Sequence, residues 1–317
     1  MSGTSSSRVL RASLGLILLA LLSLLPLGAQ GLFGQFGQAA TGALQGAGVI
    51  NQDQKQAIDQ SAQAVAKSFE DITPEQEYYI GRAVAASLLS TRKPFDAQAV
   101  TDYLNLLGTS LALASDKPET FGGYHFLAID SDEINAFAAP GGLILVTRGL
   151  LRCAQNEDEV AAILAHEISH VVKQHGLKAI KKDRLTKAVI GVGTTAAQVL
   201  GPKELQEQTS IFKDSVGDIT STLVNSGYSR DTEYEADATA LGILKRVGYD
   251  PRALEALLKV MKTKLKPGGN DFAKTHPDPN ERIKRIEKAL GGYKSPNPPP
   301  GVLAARQARF QAALAGI

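Results

Sequence analysis

The sequence predicts an α+β fold, mostly helical around a small three-stranded sheet. Three observations carry that expectation. After residue 50 most of the chain shows apolar residues at helical spacing, with recognisable start and stop signals. Only between residues 124 and 147 does the pattern shorten to three β-type runs punctuated by Gly, Pro and Asp. Hydrophobic residues make up 44% and charged residues 21% of the 317, as in an ordinary globular protein, which excludes disorder throughout. The length fits one or two domains, and 6% aromatic content without Trp argues against several dense cores.

The chain opens with Arg8 and Arg11, an apolar run from Leu14 to Leu25, then Pro26, Gly28 and Ala29. A basic flank, a short apolar core and a small-residue end describe a secretory signal peptide over residues 1–29. The run is shorter than the roughly 20 residues that cross a bilayer comfortably. The alternative is an inner-membrane anchor over residues 12–29, because Leu27 stands where cleavage prefers a small residue. A buried core helix would show a polar stripe, and this segment has none. No cysteine follows the run, so a lipoprotein anchor is excluded, and export to a periplasm is expected. Residues 30–50, rich in Gly, Ala and Gln, read as a linker. Its Leu32, Phe33 and Phe36 offer a peripheral membrane contact.

A domain over residues 51–291 follows, opening with a helical pattern from Asn51 to Phe69. Thr73, Pro74 and Gln76 supply an N-cap, an N1 proline and a capping-box partner for a helix over about Pro74–Leu89. Another runs over about Asp96–Ala114. The β-type runs are Tyr124–Asp130, Ile134–Ala138 and Leu143–Thr147. Asn156 and Glu159 stand in capping-box positions before a half-buried helix carrying Val160, Ile163, Leu164, Ile168 and Val171. Residues 188–200 are soft and apolar and 203–226 are weakly helical, which fits a mobile flap or a membrane-facing hairpin. Ser229 caps a helix to about Val247, ended by Gly248 and Pro251, and a further helix covers Pro251–Leu265. Asp278, Pro279 and Glu281 repeat the cap, proline and box pattern before a helix to about Leu290. The Pro-rich stretch from 291 breaks the domain, and 302–317 form a short amphipathic tail helix within a terminal segment, 292–317. No internal repeat is visible.

Composition narrows the function. Lys and Arg number 34 against 32 Asp and Glu; without Arg8 and Arg11 the count is 32 against 32. A neutral chain has no electrostatic case for nucleic-acid binding. The single Cys153 excludes an internal disulfide, and a Cys-based zinc site would need more thiols.

The chemistry is concentrated in His166-Glu167-Ile168-Ser169-His170. Residues four apart on a helix share a face, so both imidazoles reach one zinc ion at about 2.0–2.1 Å. Glu167 lies about 100° round from His166. That offset puts its carboxylate beside a water at the metal rather than on the metal, where a general base belongs. The bland reading, two surface histidines with an exposed glutamate, is disfavoured by the half-buried pattern. A third protein ligand is still needed. His175 lies one residue short of the metzincin position, on a different face, and reads as structural. Glu233 and Asp237, four apart on the Ser229 helix, are better placed. One of them binds zinc while the other orients a ligand imidazole, and small Ala236 and Ala240 let the two helices approach.

These motifs resemble the gluzincin metallopeptidases related to type-I CAAX prenyl endopeptidases, the HtpX- and BepA-like family, from about Glu75 to Leu290. Carrying the resemblance are Asn135-Ala136-Phe137-Ala138, Pro140-Gly141-Gly142, Val146 to Leu151, the histidine motif, Ser229 to Asp237, and Thr275-His276-Pro277 to Ile283. It implies a zincin-like domain with one Zn2+ per chain. It implies Glu233 as third ligand and Asp237 as the acid behind a ligand imidazole; Glu235 lies about 200° round from Glu233, which agrees. His276 resembles a histidine facing the zinc, either donating to the tetrahedral oxyanion or occupying the open position in a resting form. A capping or surface histidine is the bland alternative. Arg282 supports the same pocket or pairs with an acid. Asn135, Ala136 and Phe137 resemble the edge strand on which an extended peptide docks through its main chain.

Two departures matter. After the amino terminus there is no apolar run of spanning length, which disfavours prenylated-peptide processing, and only 27 residues follow Leu290, too few for a repeat domain. The expectation is therefore an exported zinc endopeptidase with Glu167 as general base, acting on misfolded or unassembled envelope proteins. Its rivals are a chaperone-like strand binder with a closed zinc site and a metal hydrolase acting on something other than protein.

Overall fold

In the computed structural model the chain divides into two compact units, residues 1–71 with 181–203 and residues 72–180 with 204–317. The structure describes residues 72–179, 216–264, 275–276 and 279–317, with isolated positions at 45–46, 51–53, 55–56 and 214. The expected signal segment, the linker, the Asn51–Phe69 helix and the 188–215 stretch fall almost entirely outside the described residues, as does the cap Asp278. Everything below concerns the second unit.

Thr73 caps helix α1 (Pro74–Leu89) with the expected reciprocal box. Its hydroxyl accepts from the Gln76 N–H at 3.2 Å, while Gln76 Oε1 accepts from the Thr73 N–H at 2.9 Å. Helix α2 (Gln98–Leu113) follows without a side-chain cap. Three strands come next: β1 (His125–Ile129), β2 (Ala136–Ala139) and β3 (Leu143–Thr147). Their order is β1-β3-β2, with β3 parallel to β1 and antiparallel to β2, so the sheet is mixed. A 3-10 turn at Pro140–Gly142 joins β2 to β3. Gly141 sits there at φ 76°, a conformation that favours glycine.

The sheet buries both faces. Phe126, Ala128, Ala136, Ala138, Ile144 and Val146 enter the main core. The alternating Ile129, Phe137, Ala139 and Leu145 pack with Ile80, Val84 and Leu88 of α1. Two buried faces explain why the strands read as short apolar runs instead of alternating patterns. The outer edge of β1 is covered, since Phe95 N–H donates to Ala128 and Asp130 N–H to Lys93, both at 2.9 Å. Among the described residues nothing pairs with the outer edge of β2.

Helix α3 (Glu157–Val172) is the centre of the unit. Asn156 Oδ1 accepts from the Glu159 N–H at 3.0 Å, as expected. The Glu159 carboxylate reaches back past the cap, accepting from Gln155 N–H at 2.9 Å and from the Asn156 amide at 3.2 Å. The helix was expected to be half-buried; instead every residue from Glu159 to Val171 is buried. Contacts from α2, β2 and the helices that follow enclose it. Helix α4 (Arg230–Val247) packs along it, brought close by Ala236 and Ala240, both 0% exposed. Ser229 Oγ accepts from the Thr232 N–H at its start, and Gly248 at φ 81° ends it. Helices α5 (Arg252–Lys264) and α6 (Pro279–Leu290) complete the layer.

Residues 216–226, part of the weakly patterned region, bury Ile219 and Leu223 against α1 and the sheet. The tail helix α7 (Pro300–Leu314) starts two residues earlier than its pattern suggests and packs on α2 and α3. Its Arg306 and Arg309 reach Asp158 and Glu157 in the first turn of α3. Among the described residues no helix is long and apolar enough to cross a membrane.

Gly81 marks the closest approach of α1 to the turn after β2: a Cβ there would lie 1.8 Å from the Pro140 carbonyl oxygen. Backbone must then move, so Gly81→Ala is expected to destabilise the protein by about 1–3 kcal/mol, read from the midpoint of urea denaturation.

Candidate metal centre

Four separate pieces of chain converge at one buried point. His166, Glu167 and His170 come from α3, Glu233 and Asp237 from α4, His276 from the segment before α6, and Arg282 from α6; all seven are buried. Helical spacing brings the two imidazoles of α3 together, with Nε2 to Nε2 at 3.2 Å. Glu233 faces both: its Oε2 lies 3.5 Å from His166 Nε2 and its Oε1 3.5 Å from His170 Nε2. His276 Nδ1 lies 2.8 Å from Glu233 Oε2. One donor atom from each of His166, His170, Glu233 and His276 falls within 4.8 Å of all the others.

These residues fit a tetrahedral cation. Donors held at about 2.0–2.1 Å from zinc stand about 3.3–3.4 Å apart; the two Nε2 atoms are 3.2 Å apart, and each lies 3.5 Å from one oxygen of the Glu233 carboxylate. Glu233 Oε1 is buried with no hydrogen-bond partner, an acceptor left facing that point. The outer nitrogens of the two α3 imidazoles are engaged. His166 Nδ1 donates to Asp237 Oδ1 at 3.0 Å, leaving the lone pair of Nε2 turned inward. Asp237 is itself clamped by Arg282, through Nε to Oδ2 at 2.8 Å and Nη2 to Oδ1 at 2.7 Å. The same guanidinium stands 3.2 Å from Glu233 Oε2.

Electrostatics point the same way. Burial alone would raise the pKa of Glu233, yet His276, His166 and Arg282 hold it well below the usual carboxylate range. For His166, burial and Arg282 pull the pKa down, but hydrogen bonds to Asp237 and Glu233 outweigh both and push it up to about 9. The pocket thus favours positive charge at that nitrogen. Burial holds His170 well below its ordinary value, as the neutral imidazole a metal requires. Burial also raises Glu167, against the opposing pull of His276 and His166.

The sequence-derived residues sort as follows. His166, His170, Glu233 and His276 meet in one cluster, with Asp237 and Arg282 directly behind it. Glu235 points elsewhere, 46% exposed, toward His175 and Lys173. On the expected docking strand the side chains of Asn135 and Phe137 are engaged within the protein. Asn135 Oδ1 accepts from the Ala136 N–H at 2.9 Å and from Thr275 Oγ1 at 3.1 Å, which ties β2 to the His276 segment. Phe137 is buried against α1, with the Arg92 guanidinium 5.2 Å from its ring. Because Asn135 hydrogen-bonds to Thr147 of β3, alternation turns the main-chain groups of Ala136 and Ala138 toward the open edge. Sequence reasoning missed two contacts on His170. Tyr228 stacks on its ring at 4.5 Å and 17°, and His175 Nδ1 lies 3.0 Å from its Nδ1. Tyr228 carried no spacing signal, though it directly precedes the Ser229 cap.

Comparison with known proteins identifies the family. The profile of Peptidase family M48 matches residues 98–290, a span that holds every residue of the cluster. The chain is 29% identical over 212 residues to the beta-barrel assembly-enhancing protease of Escherichia coli (strain K12), covering 66% of this chain and 42% of that protein. To the mitochondrial metalloendopeptidase OMA1 of Schizosaccharomyces pombe it is 34% identical over 162 residues, 49% of this chain and 43% of that one. To the metalloprotease LoiP of Escherichia coli it is 28% identical over 195 residues, 61% of this chain and 70% of that one. The chain therefore spans less than half the length of the first two. With the profile covering well over half of its residues and the whole buried cluster, the chain belongs to peptidase family M48 and carries that family's metalloprotease domain.

Proposed function

We propose that this chain is a zinc endopeptidase, with one zinc held by His166, His170 and Glu233, acting on unfolded or unassembled polypeptides of the cell envelope. The observation that carries the metal reading is the spacing of the three inward donors together with the unpartnered Glu233 Oε1. Bound zinc supplies Lewis-acid polarisation of a scissile carbonyl and acidifies water toward a pKa of about 7. Glu167 takes the proton of the attacking water and passes it to the departing amine; burial, which raises its pKa, makes it a stronger base than an exposed glutamate. His276 faces the same point as the ligands, which favours a role at the fourth position, as a resting-state ligand or as a donor to the oxyanion. Asp237 fixes His166, and Arg282 neutralises Asp237 and Glu233 together.

Substrate docks as an added strand on the open edge of β2, where Ala138 presents both of its main-chain groups. Recognition of main chain suits unfolded polypeptide. The envelope assignment is supported by the amino-terminal export pattern and by the name of the beta-barrel assembly-enhancing relative. The periplasm is the compartment this reading assigns.

Glu167→Gln is expected to lower casein cleavage by about 10²–10⁴-fold while zinc content stays at the wild-type level. Retained cleavage removes Glu167 as the base; zinc without any wild-type proteolysis favours a binding protein or another hydrolase. Zinc stoichiometry by elemental analysis separates the two glutamates: Glu233→Ala loses the metal and Glu235→Ala retains it, the reverse result overturning the ligand assignment. Arg282→Ala leaves two buried carboxylates without their guanidinium, and the protein is expected to lose about 3–5 kcal/mol of stability in urea denaturation.

A further inference from the structure

We infer that His175 is a positioning residue for the metal, orienting His170 through a relay that ends on Glu235. The inference rests on the metal-centre reading above and extends it outward from His170. Helix α3 ends at Val172, and the chain then turns through Gln174 at φ 55°, a left-handed conformation that residues other than glycine rarely adopt. That turn folds His175 back beneath the helix it has just left. The side chain is buried, with Nδ1 3.0 Å from His170 Nδ1 and Nε2 3.3 Å from Glu235 Oε2.

The hydrogen-bond arithmetic leaves one arrangement. A metal-binding His170 keeps the lone pair of Nε2 for the metal, so its proton sits on Nδ1. Two ring nitrogens 3.0 Å apart need one donor and one acceptor, so His175 Nδ1 accepts that proton and carries its own on Nε2. Nε2 then donates to the Glu235 carboxylate, which also faces Lys173 Nζ at 3.7 Å. Every proton in the chain Glu235–His175–His170 is therefore assigned. Tyr228, stacked on His170, holds the plane of the ring that this relay rotates into place.

The two ligand imidazoles are thus supported differently. His166 leans directly on Asp237, fully buried and clamped by Arg282. His170 leans on a second imidazole, and its anchor is a carboxylate 46% exposed at the surface. Any buried histidine must have its nitrogens satisfied; what points to positioning is that one partner is the outer nitrogen of His170 and the other a carboxylate.

The test uses the full chain and zinc itself. Zinc affinity is measured by competition with a chromophoric chelator, and the ligand field is read from the visible bands of the cobalt-substituted protein. His175→Phe is expected to weaken zinc binding by about 10–100-fold and to shift the cobalt bands. His175→Gln, whose amide oxygen still accepts from His170, is expected to recover part of the affinity. Glu235→Ala is expected to keep full stoichiometry at saturating zinc but bind several-fold more weakly. Wild-type affinity and unchanged cobalt bands in folded His175→Phe overturn the relay while leaving the metal centre standing. A wild-type chain that takes up no zinc overturns both. Should His175→Phe fail to fold, Glu235→Ala decides: weaker zinc binding with moved bands supports the relay, and no change in either overturns it.

Discussion

A carboxylate removed from water must be neutralised, and Glu233, with no exposed surface, meets that requirement only where three other chain segments arrive. Arg282 of α6, His166 of α3 and His276 each stand within 3.5 Å of its oxygens. The same guanidinium clamps Asp237, which in turn sets the proton on His166. Removing any member leaves charge buried without a counterpart, so the site and the helical packing around it are one electrostatic unit. The small residues of α4 serve that unit by letting its carboxylates reach α3.

Much of this was legible in the sequence because local rules act locally. The Thr73, Asn156 and Ser229 caps marked three helices to within a residue, since a cap is a hydrogen bond between near neighbours. The histidine motif was legible because its spacing is a property of one helix. The expected division of labour between Glu233 and Asp237 came from the family resemblance and not from spacing, which gives both acids the same face; in the fold Glu233 faces both α3 imidazoles while Asp237 meets the outer nitrogen of His166. The degree of burial of α3 escaped for a related reason. A helix carrying two histidines, four acids and a serine reads as half exposed, and only partners distant in sequence let most of those groups be enclosed. His175 was set aside because the spacing argument assumes the helix continues, whereas it is interrupted at Gln174, in the left-handed conformation.

The sheet shows a similar split between what is local and what is not. Its strands announced themselves by composition, but which edge is paired among the described residues depends on residues 93–95 closing off β1. Of the side chains that marked β2 in the sequence, Asn135 ties the strand to the His276 segment and Phe137 fills the second core. What β2 turns outward is main chain, which residue identity does little to announce.

The separations along the chain carry a consequence for biosynthesis. Glu157, in the first turn of α3, finds Tyr249 92 positions later and Arg309 152 positions later, while His166 waits 116 positions for Arg282. A ribosome-bound fragment that ends before α6 holds the histidines and Glu233 but lacks the guanidinium that lets those charges be enclosed. Enclosure of those charges therefore waits until α6 has been made, however early the histidine motif appears in the chain.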